Sequence, residues 1–168
     1  MARRFALAGG LLALAIFGTG PVAAGAPDDA GSLIEADLEG VPIPVATISR
    51  FHCNDFDFPQ IHCFKTPDGL EASLSIEVAL NLLSASDYVQ IFDQVSYGGA
   101  SMILSQNYDA LWTIGWNDRI GSFKGKNVQT GTFYTDWFAG GTAYAFCCNW
   151  QVSTLGGFND TFSSIYNN

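Results

Sequence analysis

Apolar residues from Tyr88 to the C-terminus come in short clusters, such as Val89-Gln90-Ile91-Phe92 and Ala100-Ser101-Met102-Ile103-Leu104, separated by Gly, Asn, Asp and Ser. That rhythm predicts short strands joined by tight turns. The earlier half reads differently. Thr66-Pro67-Asp68 is a helix start, with Thr66 as cap, Pro67 in the first turn and Asp68 at the positive end. Leu70, Leu74, Ala79, Leu82 and Leu83 then recur at helical spacing, predicting one helix to about Ser84. Glu71 and Glu77 on it read as solvated. Between Phe51 and Phe64, four Phe and two Cys fall within fourteen residues, which implies burial. Residues 27–45 hold four of the six prolines together with residues 21–26, and no period is sustained there, so they read as a flexible leader.

The strand-rich half repeats itself. At an offset of 42 positions Phe92 meets Tyr134, Gly98-Gly99 meets Gly140-Gly141, and Leu104 meets Phe146. In the same register Tyr108 meets Trp150, Trp116-Asn117-Asp118 meets Phe158-Asn159-Asp160, and Phe123 meets Ile165. No gap is needed, so one supersecondary unit is used twice, over about 88–126 and 131–166. Four short strands per unit make a Greek-key sandwich the expected architecture.

Composition adds location. Arg3 and Arg4, the apolar run Phe5 to Phe17 and the small residues Val22-Ala23-Ala24 read as a secretory signal over residues 1–26. The run is too short to span a bilayer, which takes about 20 apolar residues. The formal charge is −9, so nucleic acid is not an expected partner and cations are. Export makes disulfides the first expectation for Cys53, Cys63, Cys147 and Cys148. Of the three connectivities, pairing Cys53 with Cys63 forces a bridge between adjacent Cys147 and Cys148, so each early cysteine is expected to reach the late pair. A zinc site at His52-Cys53 and His62-Cys63 is set aside, because the spacing matches no usual zinc pattern.

Two hexads carry the candidate chemistry: Asn117-Asp118-Arg119-Ile120-Gly121-Ser122 and Asn159-Asp160-Thr161-Phe162-Ser163-Ser164. Each gathers amide, carboxylate, hydroxyl and backbone oxygens suited to a hard cation. The same residues are also ordinary turn formers. Combined with the duplication and the hairpins Phe92 to Gly99 and Tyr134 to Gly141, they resemble the motifs of the βγ-crystallin superfamily over about Tyr88 to Tyr166. The resemblance implies a two-motif Greek-key sandwich over 87–168; the residues before it read as a disulfide-anchored segment and one short helix over 46–86, so the protein is expected to be mostly β. The resemblance further implies two calcium sites. One would use Asn159, Asp160, Thr161 and Ser163 with hairpin help from near Asp93. The other would use Asn117, Asp118 and Arg119 with help from near Thr135. Gly121 lacks the hydroxyl and Ala139 stands where Tyr97 sits in the first unit, so the Asn159 site is expected to be competent and the Asn117 site weak.

The function so implied is a secreted, calcium-stabilised structural protein, with no membrane attachment after signal cleavage. Two alternatives stand beside it. One is an inhibitor of a secreted protease acting through Ser105–Trp116 or Lys124–Thr132. The other is a glycan-binding or wall-binding module using Trp112, Trp137 and Trp150. An enzyme is not expected, since no nucleophile has a recognisable setting and no paired carboxylates or phosphate-binding loop stand out.

Overall fold

The repeat seen in sequence is a repeat of backbone. A computed structural model describes residues 33–79 and 87–168; the expected signal and Leu82–Ser84 of the expected helix lie outside them. The elements are β1 (Glu35–Leu38), β2 (Val41–Pro42), β3 (His52–Asn54), β4 (Gln60–Phe64), α1 (Pro67–Ala79), β5 (Tyr88–Phe92), β6 (Ser101–Leu104), β7 (Ser122–Lys126), β8 (Thr130–Tyr134), β9 (Ala143–Cys147), β10 (Gln151–Val152) and β11 (Ser164–Asn167). β5, β6 and β7 recur as β8, β9 and β11, each starting 42 positions later.

β5, β6 and β7 of the first repeat lie in one sheet, and β8, β9 and β11 of the second make the other. One sheet runs β10-β7-β5-β6-β3-β4-β1-β2 and the other β11-β8-β9. The repeats exchange their third segments. β10 of the second pairs with β7 of the first, and Tyr108 of the first bridges Ile165 of the second. This crossing ties the sheets together, and aromatic side chains fill the space between them. Phe123 meets Phe133 and Phe146 at 5.3 Å from the facing sheet, and Phe133 stacks on Phe162 at 4.9 Å. Trp116, Phe123, Phe133 and Phe162 are fully buried. Such ring pairs add to the burial energy of each side chain.

The segment before the sandwich is part of it. β3 adds in parallel to β6, β4 turns back on β3, and β1 lies parallel to β4. Residues 35–45 are therefore not a flexible leader. Their weak local propensity is overridden by pairing, with Ala36 buried opposite Ile61. α1 starts as expected: the Thr66 hydroxyl accepts the Gly69 N–H at 3.1 Å, and Leu70 is buried. The helix packs on β3 and β4.

The cysteines pair otherwise than expected: Cys53 with Cys63, and Cys147 with Cys148. The β3–β4 register sets Cys53 directly opposite Cys63. Cys148 does not continue a strand; it leaves β9 at φ 60°, so the two late side chains do not point to opposite faces. Lys124–Thr132 is not a long loop either, because β7 and β8 leave only Asn127–Gln129 between them.

Asp55 fixes the junction between the N-terminal strands and the first repeat. Its buried carboxylate accepts the Ser105 N–H at 2.7 Å and the Tyr108 hydroxyl at 2.9 Å. Burial outweighs these bonds and raises its pKa above the usual carboxylate range. A carboxyl with a raised folded pKa contributes stability below its unfolded pKa and loses it as pH rises through the folded value. Relative to Asp55→Asn, the native protein should lose unfolding free energy as pH climbs through that window. Urea unfolding of both proteins at stepped pH checks this, and parallel curves would contradict it.

Candidate functional site

Each repeat enters a folded hairpin after its first strand. In the first, the Asp93 and Gln94 N–H groups donate to the Ala100 and Gly98 carbonyls at 3.0 and 3.1 Å. In the second, Thr135 and Asp136 donate to Thr142 and Gly140, both at 3.1 Å. Gly99 and Gly141 supply left-handed backbone at φ 73° and 72°. Unexpectedly, Ser96, Tyr97, Phe138 and Ala139 are left-handed too.

The last serine of each hexad holds this strained hairpin down. Ser122 Oγ donates to the Gln94 carbonyl at 2.6 Å and accepts the Tyr97 N–H at 3.0 Å. Ser164 Oγ repeats this with the Asp136 carbonyl at 2.7 Å and the Ala139 N–H at 3.3 Å. Asp118 and Asp160 are left-handed at φ 53° and 55°, a conformation aspartate tolerates better than most residues. The two hexads also bond to each other, Asp118 N–H to the Phe162 carbonyl and Asp160 N–H to the Ile120 carbonyl.

This back-to-back arrangement regroups the expected site residues. Ser163 lies beside Asp118 of the other hexad, its hydroxyl donating to Asp118 Oδ1 at 3.4 Å. Asn117, Asp118, Ser163, Thr135 and Asp136 line one open cleft, with Trp137 and Phe138 at its wall. Asn117 Nδ2 donates to Asp118 Oδ2 at 2.6 Å, and its Oδ1 accepts the Trp137 indole N–H at 3.2 Å. The oxygen set of this cleft suits a hard cation. Among the described residues no three His, Cys, Asp or Glu side chains converge as a metal site, so hydroxyl, amide and carbonyl oxygens would have to complete the shell.

Several of the remaining expected residues are engaged in other contacts. Asn159 Oδ1 accepts the Leu155 N–H at 2.8 Å, and the Thr161 hydroxyl donates to the Phe158 carbonyl at 2.9 Å. Asp93 is paired with the Arg119 guanidinium at 3.1 Å, which places a positive charge beside the first hairpin. Gly121 is where a fifth-position hydroxyl would be, and a Cβ there would come within 2.7 Å of the Gln94 carbonyl carbon.

Asp136 was missed from sequence, and Trp137 was read only as a glycan-binding candidate, not as a wall of the hexad cleft. The signal was the repeat register, which sets Asp136 against Gln94 and Asp93 against Thr135, so the two hairpins carry their carboxylates one position apart.

The interlocked hairpins and hexads give residues 88–167 a βγ-crystallin fold, as their motifs imply. No family model and no curated protein matches the chain. Solved structures are similar over about half of it. A domain described with the evolution of the eye-lens βγ-crystallin fold is 23% identical, over 51% of this chain and 88% of that one, at a TM-score of 0.48. A βγ-crystallin from Ciona intestinalis is 20% identical over 48% and 99%, at 0.44. A double-mutant βγ-crystallin domain from Clostridium beijerinckii is 27% identical over 48% and 94%, at 0.43.

Close packing at Gly121 makes a contrast that stability can read. Gly121→Ala should destabilise the metal-free protein by about 1–3 kcal/mol through backbone overlap. Ser163→Ala, whose hydroxyl makes only a long bond, should cost clearly less. Chemical denaturation in chelator checks the order.

Proposed function

We propose that this is an exported βγ-crystallin-fold protein that binds calcium in the cleft between its repeats, chiefly as a stabiliser. The observation that carries the reading is the meeting of the Asp118 carboxylate with the Ser163 hydroxyl from the opposite repeat. Asn117, Thr135 and Asp136 would contribute the neighbouring oxygens. On this geometry the Asp118 cleft is the competent site and the Asn159–Asp160 side is the weak one, the reverse of the order expected from the hexads alone. Arg119 would serve through its backbone only, since its side chain is engaged by Asp93 and the Ser49 carbonyl.

The formal charge at the cleft is low, which suits a dissociation constant on the order of 10⁻⁴ to 10⁻³ M. At millimolar calcium, binding to the folded state alone adds about 1–2 kcal/mol. The test is thermal unfolding of the mature chain after chelation, titrated with calcium and separately with magnesium. Calcium should raise the melting temperature more than magnesium does. Asp118→Ala and Ser163→Ala should each remove most of the rise, while Asp160→Ala keeps it. No rise at several millimolar calcium would end the metal reading and leave the fold intact.

A glycan-binding reading stands second, on one observation. Trp137 and Phe138, 54% and 71% exposed, form the wall of the same cleft. Exposed rings beside oxygen ligands offer a stacking surface for a sugar. Tryptophan fluorescence titrated with soluble oligosaccharides tests it: quenching lost in Trp137→Ala supports it, and an unchanged spectrum rejects it.

A further inference from the structure

The two repeats are alike, but among the described residues only the first has its outer strand edge covered. β3 runs along the free side of β6, in register from His52 opposite Ser101 to Asn54 opposite Ile103. The Ser101 N–H donates to the Phe51 carbonyl at 3.1 Å, and the Ser105 N–H, two residues past Ile103, donates to the Asp55 carboxylate at 2.7 Å. The same carboxylate holds the Tyr108 hydroxyl, and Phe58 packs edge-on against the Tyr108 ring at 6.2 Å. An extended segment ending in an acid and an aromatic thus seals the side of the first repeat.

Forty-two positions later stand the counterparts: Ala143, Ala145 and Cys147 for Ser101, Ile103 and Ser105, and Trp150 for Tyr108. Among the described residues β9 is the last strand of its sheet, paired only with β8. Bonds from Thr135 N–H to the Thr142 carbonyl and from Cys148 N–H to the Gln129 carbonyl bracket the β8–β9 ladder. By antiparallel alternation, the N–H groups of Ala143, Ala145 and Cys147 therefore point away from β8. Tyr108 is 4% exposed under its cover, whereas Trp150 is 48% exposed. Ala143-Tyr144-Ala145-Phe146-Cys147 carries no charge and no proline, the devices that usually block a free edge.

We propose that the outer edge of β9 docks one extended strand of a partner polypeptide, a segment closing on a carboxylate and an aromatic ring, as β3, Asp55 and Phe58 do on the first repeat. Backbone bonds to Ala143 and Ala145 would hold the strand, and its carboxylate would accept the Cys147 N–H beside the Trp150 ring. Local charge fits an acidic end. Of the five basic residues among those described, Lys65 and Arg119 are already paired with carboxylates. Lys126 ends β7, which pairs with β10 just past this turn, while the Lys124 ammonium on the same strand lies over the Phe92 and Tyr97 rings.

The probe is a synthetic peptide of residues 49–58 with Cys53→Ser, added to the isotopically labelled mature chain. Amide signals of Ala143, Ala145 and Cys147 and the Trp150 indole signal should shift, and the three amides should exchange more slowly with solvent. Ala145→Pro removes one outward N–H without touching the β8 ladder and should weaken binding at least tenfold. Should that variant not fold, Trp150→Ala is read in its place, with a several-fold loss expected. A peptide with Asp55→Asn should also bind several-fold more weakly. Unmoved amides, equal binding by the folded variants, or equal binding by the Asn peptide would overturn the proposal. So would protection that appears without peptide and grows with protein concentration as the chain dimerises, since a second copy would then occupy the edge.

Discussion

The sandwich depends on one repeated contact, a buried serine hydroxyl clamped onto the folded hairpin of its own repeat. Ser122 and Ser164 are fully buried, and each both donates to and accepts from the hairpin backbone. The contact has strain to hold, because left-handed backbone outside glycine costs about 1–2 kcal/mol per residue. Each hairpin has two such residues. A net hydrogen bond contributes roughly 1 kcal/mol, so the clamp offsets the strain only together with the aromatic core beneath it. Trp116 and Phe162, set beside and within the hexads, supply that core and fix where each hexad lies.

Fixing the hexads back-to-back has the main functional consequence. Ser163, fifth in its hexad, faces Asp118, second in the other. One exchange brings Ser163 to Asp118, and in the second the Asp160 N–H bonds to the Ile120 carbonyl, next to Gly121. The asymmetry between the two sides follows from a single residue. Gly121 lets the Gln94 backbone come so close that no side chain fits, and Arg119 then neutralises Asp93 beside it.

The duplication, the hairpins and the helix start were legible because each is local: a period, a glycine pair, a capping threonine. The regrouping of Ser163 with Asp118 was not, since spacing tells which hexad holds a residue but not which one it faces. The cysteine pairing was hidden for a similar reason. It depends on β3 and β4 meeting in a register that sets Cys53 against Cys63, and on Cys148 turning left-handed. Residues 35–45 looked unstructured because their strand is made by β4 rather than by their own propensity. Asp136 sat in plain view but drew no notice, since its counterpart Gln94 carries no charge.

The account's central claim is that the cation site is shared between repeats, and a crystal structure of the mature protein grown with calcium tests it most directly. The claim predicts an anomalous peak in the cleft between the Asp118 carboxylate and the Ser163 hydroxyl, with the Asn159–Asp160 side empty. A peak held by Asp160 within its own hexad, or none at several millimolar calcium, would contradict it.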